Sequence, residues 1–235
     1  MTQPFRIRKR VFMASILATG VGLAFPRWAL AAPDPQALVA AADAARFPQE
    51  SFYVDIDIES RSADSQDVDR RRYRIFSKGS EDTVIRTLEP ASERGQTLLM
   101  KGRNLWIFVP AVTQPVRLSL AQRLTGQVAN GDLARANFAG DYTPSYLGED
   151  TLDGTPAHVL NLQAVDGGVT YARVKYWVAA DGARPLKAEF YALSGRLLKT
   201  CRYEDFKPMA GAVRPTRLVM SDALKPGDVS VLTYS

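Results

Sequence analysis

Cysteine and histidine are almost absent from this 235-residue chain, which contains one of each, Cys201 and His158. A single cysteine excludes an intrachain disulfide, and one histidine leaves no cluster with the spacing of a zinc site. The chain also lacks a P-loop, a Rossmann glycine fingerprint and a G-x-S-x-G nucleophile motif. We therefore predict a protein that is not an enzyme and uses no metal or cofactor. An envelope enzyme that depends on His158 or Cys201 is the alternative.

Long apolar runs are absent except near the N-terminus. Residues 5–10 are basic, residues 11–25 are uncharged and largely apolar, and residues 29–31 read Ala-Leu-Ala. A proline and an arginine end the run before it reaches the ~20 residues of a membrane span. This order is typical of a secretory signal. We predict a signal peptide over residues 1–31, cleavage near Ala31, and a periplasmic mature protein.

The net charge of the mature chain is small. The formal charge of the whole chain is +5, and the predicted signal peptide holds five cations and no acid. Those cations are Arg6, Arg8, Lys9, Arg10 and Arg27. Residues 32–235 are therefore close to neutral, whereas nucleic acid binding needs a basic face on the folded domain. We predict no nucleic acid partner.

The mature chain is predicted to be one mainly β domain over residues 32–235. Asp34 and Pro35 are typical of a helix start, and Pro48 of its end, with an apolar stripe at 38, 41, 42 and 45. Alternating apolar residues and glycine-containing turns then indicate many short strands. They are 52–59, 69–78, 83–88, 97–101, 105–109, 116–118, 146–149, 158–163, 171–178, 186–191, 197–206, 216–221 and 229–234. Such a succession favours an antiparallel sheet that curls or closes.

Two neighbouring strands carry opposite charges at matching positions. Arg70, Arg72 and Arg74 alternate along the second strand, and acids alternate along the first at positions 55, 57 and 59. Opposite charges that face each other across an antiparallel pair stabilise it. We favour a solvated, charge-paired sheet face over an anion-binding site.

The segment that follows residue 104 combines an apolar strand with short helix signals. Residues 105–109 are apolar at every position, which predicts a strand with little contact with water. Ser119 and Gln122 fit a capping box, and residues 120, 124 and 128 share a helical stripe that Gly126 would end. A second helical turn is predicted from Asn130 or Asp132 to Gly140. The segment is thus predicted to be a strand followed by helical cover.

Seven short motifs follow one another along the chain. They are Leu105-Trp106-x-Phe108-x-Pro110, Arg117, Gly126 with Asp132-Leu133, Gly148 to Asp153-Gly154, Trp177, Pro185-Leu186, and Gly195-Arg196-Leu197-Leu198-Lys199-Thr200. In order and spacing these motifs resemble the outer-membrane lipoprotein-sorting proteins of the LolA-like superfamily, in particular the transporter-associated members. The resemblance implies a strongly curved antiparallel sheet, an incomplete barrel, with an N-terminal helix and short helices that cover its apolar mouth.

The resemblance also implies a function. It suggests a periplasmic carrier that shields the acyl chains of lipoproteins or other lipids during transfer towards the outer membrane, and an inner-membrane export pump as a partner. The residues we expect to line the cavity are Phe52, Val54, Ile56, Ile58, Trp106 and Phe108, with Leu120, Leu124 and Val128 as cover. The alternative is an envelope-stress sensor that binds another protein through the same fold.

Overall fold

A computed structural model describes residues 33–79, 81–135 and 137–235. The predicted signal peptide lies outside the described residues, and its assignment remains a prediction. Helix α1 spans Pro35–Arg46, α2 spans Asn130–Ala134 and α3 spans Phe138–Asp141, and a 3-10 turn covers Ala91–Glu93. No helix in these ranges is both long enough and apolar enough to cross a membrane.

Strands make up most of the described chain. The first eight are β1 (Phe52–Arg61), β2 (Val68–Lys78), β3 (Asp82–Glu89), β4 (Thr97–Lys101), β5 (Asn104–Phe108), β6 (Val116–Leu118), β7 (Arg123–Thr125) and β8 (Val128–Ala129). The remaining seven are β9 (Tyr142–Leu152), β10 (Thr155–Ala164), β11 (Arg173–Ala179), β12 (Pro185–Tyr191), β13 (Leu197–Met209), β14 (Ala212–Asp222) and β15 (Val229–Tyr234).

Thirteen of these strands form one antiparallel sheet. Its order is β6-β5-β4-β3-β2-β1-β15-β14-β13-β12-β11-β10-β9, so β6 and β9 are its free edges. The C-terminal β15 pairs with β1 and joins the two halves of the chain. The mainly β fold and the open antiparallel sheet are confirmed.

The charge ladder on β1 and β2 has the predicted register. Arg74 lies opposite Asp55, Arg72 opposite Asp57, and Arg70 opposite Glu59. Arg74 donates two hydrogen bonds to Asp55, of 2.6 and 2.7 Å. The hydrogen bonds of the other two pairs are 2.9 and 3.0 Å long. The arginine ladder therefore belongs to a partly solvated outer face, and the sheet pairs it with acids.

Helix α1 begins and ends where the sequence predicts, but its buried side differs. Asp34 caps the helix by accepting the N–H of Gln36. The buried row is Val39, Ala42, Asp43 and Arg46. Within the predicted stripe at 38, 41, 42 and 45, only residue 42 is fully buried and residue 41 is exposed. The prediction was wrong because it counted charged residues as solvent-facing, and this helix buries an acid and an arginine.

The predicted helix over residues 119–128 is also wrong. The chain forms a small hairpin there, in which Arg123 pairs with Ala129 and Thr125 pairs with Val128. Gly126 makes the turn with a φ of +48°, a region that favours glycine. A second helical segment is present as expected, but it is divided into α2 and α3.

Candidate functional site

Residues 119–141, which contain β7, β8, α2 and α3, form what we call the cover. Its side chains belong to the same buried cluster as the inner face of the large sheet. The cover residues in that cluster are Leu120, Val128, Ala129, Leu133, Ala134 and Phe138. Helix α1 joins the cluster through Val39 and Ala42. The concave face of the sheet is therefore filled by the cover and one side of α1.

Gly126 sets how closely the cover approaches the sheet. A Cβ atom at this position would lie 2.1 Å from Ser60 Oγ and 2.3 Å from Ser230 Oγ. These two serines hydrogen-bond each other across β1 and β15, and Ser230 also accepts the N–H of Gln127 at 2.9 Å. Only glycine leaves room for this contact, since real Cβ atoms do not approach other atoms so closely.

Seven of the nine predicted site residues lie on the concave side. Val54, Ile56 and Ile58 are buried in β1, and Phe52 is half-buried at its start. Leu120 and Val128 are buried in the cover, and Leu124 packs partly against the core.

Trp106 and Phe108 lie elsewhere. Leu105 is fully buried and Ile107 packs against the core, so their neighbours point to the other face of β5. Phe108 is 42% exposed. The prediction that β5 is sheltered on both faces is therefore wrong, because an apolar strand near the sheet edge has only one face covered. Trp106 pairs outward with Leu99 on β4.

The interior beneath the cover is nearly filled. A cavity of about 20 Å³ lies between the cover, the β10–β11 connection and strands β12 to β14, and one of about 30 Å³ lies where α2 meets β1 and β2. A cavity of ~10–15 Å³ already holds one water molecule. Neither space accommodates an acyl chain in this arrangement.

A larger cleft opens at the end of α1. Its volume is about 290 Å³, close to the ~300 Å³ at which small-molecule sites begin. Its main lining residues are Arg46, Phe47, Pro48, Phe52, Val54, Met209, Arg214, Pro215 and Tyr234. Phe47 stacks on Phe52 at a centroid distance of 6.0 Å and meets Tyr234 edge-on at 5.8 Å. The cleft is therefore an aromatic pocket with two arginines in its wall.

Phe52 and Val54, which were predicted to line a cavity under the cover, also line this cleft, and its other lining residues were not predicted. They come from the end of α1 and from β13, β14 and β15, which are distant in sequence. The one local signal was Phe47-Pro48, an aromatic residue at the end of an amphipathic helix. The cleft and the 30 Å³ cavity share Phe47, Pro48, Phe52 and Val54, so the two spaces adjoin.

A buried ion pair ties the cover to the sheet. Lys199 on β13 donates to Asp132 Oδ2 on α2 and to the carbonyl oxygen of Gln127, both at 2.5 Å. Asp132 also accepts the Tyr171 hydroxyl at 2.8 Å and the N–H of Ala129 at 2.7 Å. Both charged side chains are about 94% buried. Every oxygen of the Asp132 carboxylate thus has a donor, and this pair fixes α2 to the wall.

A second buried ion pair fixes the far end of the cover. Arg135 donates to both carboxylate oxygens of Asp141, at 2.5 and 2.8 Å, and to the carbonyl oxygen of Gly102 at 3.0 Å. Asp141 also accepts from Arg103 at 3.1 Å. These contacts connect α2 and α3 to the β4–β5 turn.

A third buried pair, within α1, is less well compensated. Arg46 Nη1 lies 3.3 Å from Asp43 Oδ1, and its Nε has no hydrogen-bond partner among the described residues. Burial raises the pKa of Asp43 to about 6, although Arg46 and the N–H of Ala139 oppose the shift. The Arg46 guanidinium rests 4.2 Å from the centre of the Phe138 ring.

Cys201 and His158, the two residues considered for catalysis, lie in surroundings that do not activate them. Cys201 is fully buried, and burial raises the pKa of its thiol to about 12, so the nucleophilic thiolate is scarce at neutral pH. His158 is half-buried, and its Nδ1 lies 3.2 Å from the Tyr146 hydroxyl. Within the described ranges no three His, Cys, Asp or Glu side chains are grouped to hold a metal ion.

Comparison with known proteins identifies the family. A model of a family described as an uncharacterized protein matches residues 79–235, more than half of the chain. The crystal structure of a LolA superfamily protein from Nitrosomonas europaea is 54% identical over 87% of this chain and 92% of that chain, with a TM-score of 0.83. The chain belongs to the LolA superfamily. No curated protein matches it.

Two further crystal structures show the LolA-like fold at lower identity. A putative outer membrane lipoprotein-sorting protein domain from Vibrio parahaemolyticus is 19% identical, covers 86% of this chain and 90% of its own, and has a TM-score of 0.74. A DUF1329 family protein from Desulfovibrio piger is 22% identical, with coverages of 86% and 92% and a TM-score of 0.74.

Residues from four of the motifs that carry the LolA resemblance contact one another in two pairs. Asp132 and Lys199, from two separate motifs, form the buried ion pair between the cover and β13. Trp177 donates to Asp150 at 2.9 Å and packs with Ala157 and Val159 in a smaller cluster apart from the main core. These motifs therefore act in the architecture, by fixing the cover and one wall of the LolA fold.

Proposed function

We propose that this protein is a non-enzymatic periplasmic carrier that encloses an acyl chain of a lipid or lipoprotein. The observation that carries the proposal is the aromatic cleft at the end of α1, which adjoins the small cavity beneath α2. An acyl chain would enter between Phe47, Phe52 and Tyr234 and advance toward Leu133 and Ala134 of α2.

Enclosure of a whole chain requires the cover to move. The cavities beneath it, of about 20 and 30 Å³, hold at most a water or two. Each methylene that leaves water contributes ~0.8 kcal/mol, so ten of them supply roughly 8 kcal/mol before the costs of binding. Full burial of one large apolar side chain contributes ~1.5–3 kcal/mol, so this gain is of the same order as the contacts that three or four cover side chains would lose.

The cover has a structure suited to such movement. It consists of a two-strand hairpin and two short helices of five and four residues, which are too short to be stable alone. Their position depends on the buried apolar contacts and on the ion pairs of Asp132 and Arg135. A lipid that displaces α2 therefore has to replace the apolar contacts and separate the Asp132–Lys199 pair.

The carrier proposal is tested by lipid transfer between vesicles. Donor vesicles hold a fluorescent monoacyl phospholipid, acceptor vesicles hold a quencher, and purified protein is added. We expect the protein to accelerate transfer, and Phe52→Asp to reduce the acceleration at least tenfold, because a charge would then face the acyl chain. Phe76→Asp on the outer face of β2 is the matched control and should transfer normally.

Two other results would point away from a carrier. Transfer at the spontaneous rate with folded protein would contradict it, and if an inner-membrane protein is then captured without lipid, a sensor becomes the better explanation. Recovery of an intact Met1 chain embedded in membrane would contradict the proposed periplasmic location. N-terminal sequencing of envelope material should instead find a start near Ala32.

A further inference from the structure

Arg214 is a buried cation with no acidic partner. The residue is 6% exposed, and its hydrogen bonds go to three carbonyl oxygens, those of Met209, Ala44 and Ala210, at 3.1, 2.5 and 3.5 Å. It belongs to no ion pair among the described residues. Buried arginines are normally paired with a carboxylate, and burial lowers the pKa of this one. The guanidinium therefore carries a charge that only backbone dipoles offset.

Arg46 brings a second cation to the same place. It lines both the cleft and the 20 Å³ cavity, so it lies on the boundary between them. Asp43 provides only a single contact of 3.3 Å, and the buried Nε–H has no acceptor among the described residues. A buried donor that lacks a hydrogen-bond acceptor lowers the stability of the fold by ~1–3 kcal/mol. Nε itself has almost no exposed surface, so a ligand in the cleft would meet Arg46 through its other atoms.

The walls of the cleft favour a ligand that is apolar away from the two arginines. Phe47, Phe52, Tyr234 and Met209 give it apolar sides, Ser235 also lines it, and no aspartate or glutamate side chain of the described residues does. The volume of about 290 Å³ lies at the lower end of the range for small-molecule sites, which suits a narrow ligand.

We propose that the cleft binds single-chain fatty carboxylates, with the carboxylate held by Arg214 and Arg46 and the chain packed against Phe47 and Phe52. The inference rests on the proposed carrier function and names the ligand class of that site. The planar guanidinium matches a carboxylate geometrically and keeps its charge at every physiological pH. A neutral or cationic head group of the same size would leave Arg214 uncompensated.

The test compares three ligands that share a ten-carbon chain: decanoate, decanol and decylammonium. Each is titrated calorimetrically into the wild-type protein at pH 8, below its aggregation concentration. We expect decanoate to bind at least tenfold more tightly than decanol, and decylammonium to bind most weakly. The preference for decanoate should shrink at high salt, because the attraction is electrostatic. This comparison needs no mutation and so cannot be confused with misfolding.

Two variants test whether Arg214 causes the preference for decanoate over decanol. Arg214→Gln should reduce the ratio of decanoate to decanol affinity at least fivefold, whereas Arg214→Lys should keep most of it, with circular dichroism as the check on folding. Equal affinities of wild-type protein for decanoate and decanol would overturn the inference and leave the carrier function intact. Binding of none of the three ligands would contradict the inference, and absence of lipid transfer would separately contradict the carrier function.

Discussion

The concave side of the sheet buries two groups of charged side chains that differ in how well they are compensated. At the cover, Lys199 and Asp132 meet at 2.5 Å, and each has further partners. At the end of α1, Arg214 binds only carbonyl oxygens and Arg46 keeps one donor free. In the first group both charged side chains have hydrogen-bond partners, so the pair acts as a structural contact. The second places incompletely compensated cations in the wall of a cleft, where we propose that the ligand binds.

The largest effect is expected from breaking the compensated group. Asp132→Leu would leave the Lys199 ammonium and the Tyr171 hydroxyl buried without their partner. Removal of one member of a buried ion pair costs ~3–5 kcal/mol, and urea unfolding should show a loss of that size. The double variant Asp132→Leu/Lys199→Met should recover at least half of it, since no charge then remains unpaired. If the double variant were no more stable than the single one, Asp132 and Lys199 would not compensate each other's buried charge.

The second prediction uses pH on the less compensated group. The folded pKa of Asp43 is about 6 against an ordinary value of 3.8, so the folded protein favours the protonated acid. That stabilisation is complete below about pH 4 and is lost as the pH rises through 6. The free energy of unfolding of wild type minus that of Asp43→Asn should therefore fall by up to about 3 kcal/mol over this range.

Parallel urea titrations of the two proteins between pH 3.5 and 7.5 measure this difference. Other acids titrate in the same range, but they are common to both proteins and cancel in the subtraction. A difference that rises with pH would mean that Arg46 compensates Asp43 fully, and the contrast between the two buried groups would then disappear.

The smallest effect is expected on the outer face, where the charges are solvated. Arg72 and Asp57 are 41% and 44% exposed in their side chains and lie 2.9 Å apart. Exposed ion pairs contribute ~0–1 kcal/mol, so Arg72→Gln should lower the free energy of unfolding by less than 1 kcal/mol. In 1 M salt even this loss should vanish. A loss comparable to that of Asp132→Leu would refute the distinction between outer and inner charges.

The same contrast explains what could be predicted from the sequence. Period-two alternation is a local signal, so β1 and β2 were predicted together with the pairing of their charges. Local patterns gave wrong predictions where contacts between residues distant in sequence determine the structure. The stripe at 120, 124 and 128 is compatible with a helix, but the contact of Gly126 with Ser60 and Ser230 imposes a hairpin.

Burial of charge was the other source of error. The phase of α1 was missed because its inner face carries Asp43 and Arg46, residues that a hydrophobic pattern assigns to solvent. The cleft was missed in part because Phe47, Met209 and Arg214 meet only in the folded chain. For Trp106 and Phe108, an apolar sequence on both sides of β5 could not show which side faces the interior.

For a lipid to enter, the cover must move, and a reversible crosslink tests this movement most directly. A Cβ atom on Gly131 of α2 would lie 3.0 Å from Thr170 Cβ in the β10–β11 connection. A disulfide needs ~3.5–4.5 Å, so Gly131→Cys/Thr170→Cys in a Cys201→Ser background should form one after a small shift.

The same crosslinked protein serves as its own control, because a reductant releases the cover without any change of sequence. Mass spectrometry confirms the disulfide, and lipid transfer between vesicles is measured before and after reduction. We predict that the oxidised protein transfers lipid only at the spontaneous rate and that reduction restores transfer at least tenfold. Equal transfer by the oxidised and reduced forms would contradict the account, because lipid would then bind without movement of the cover.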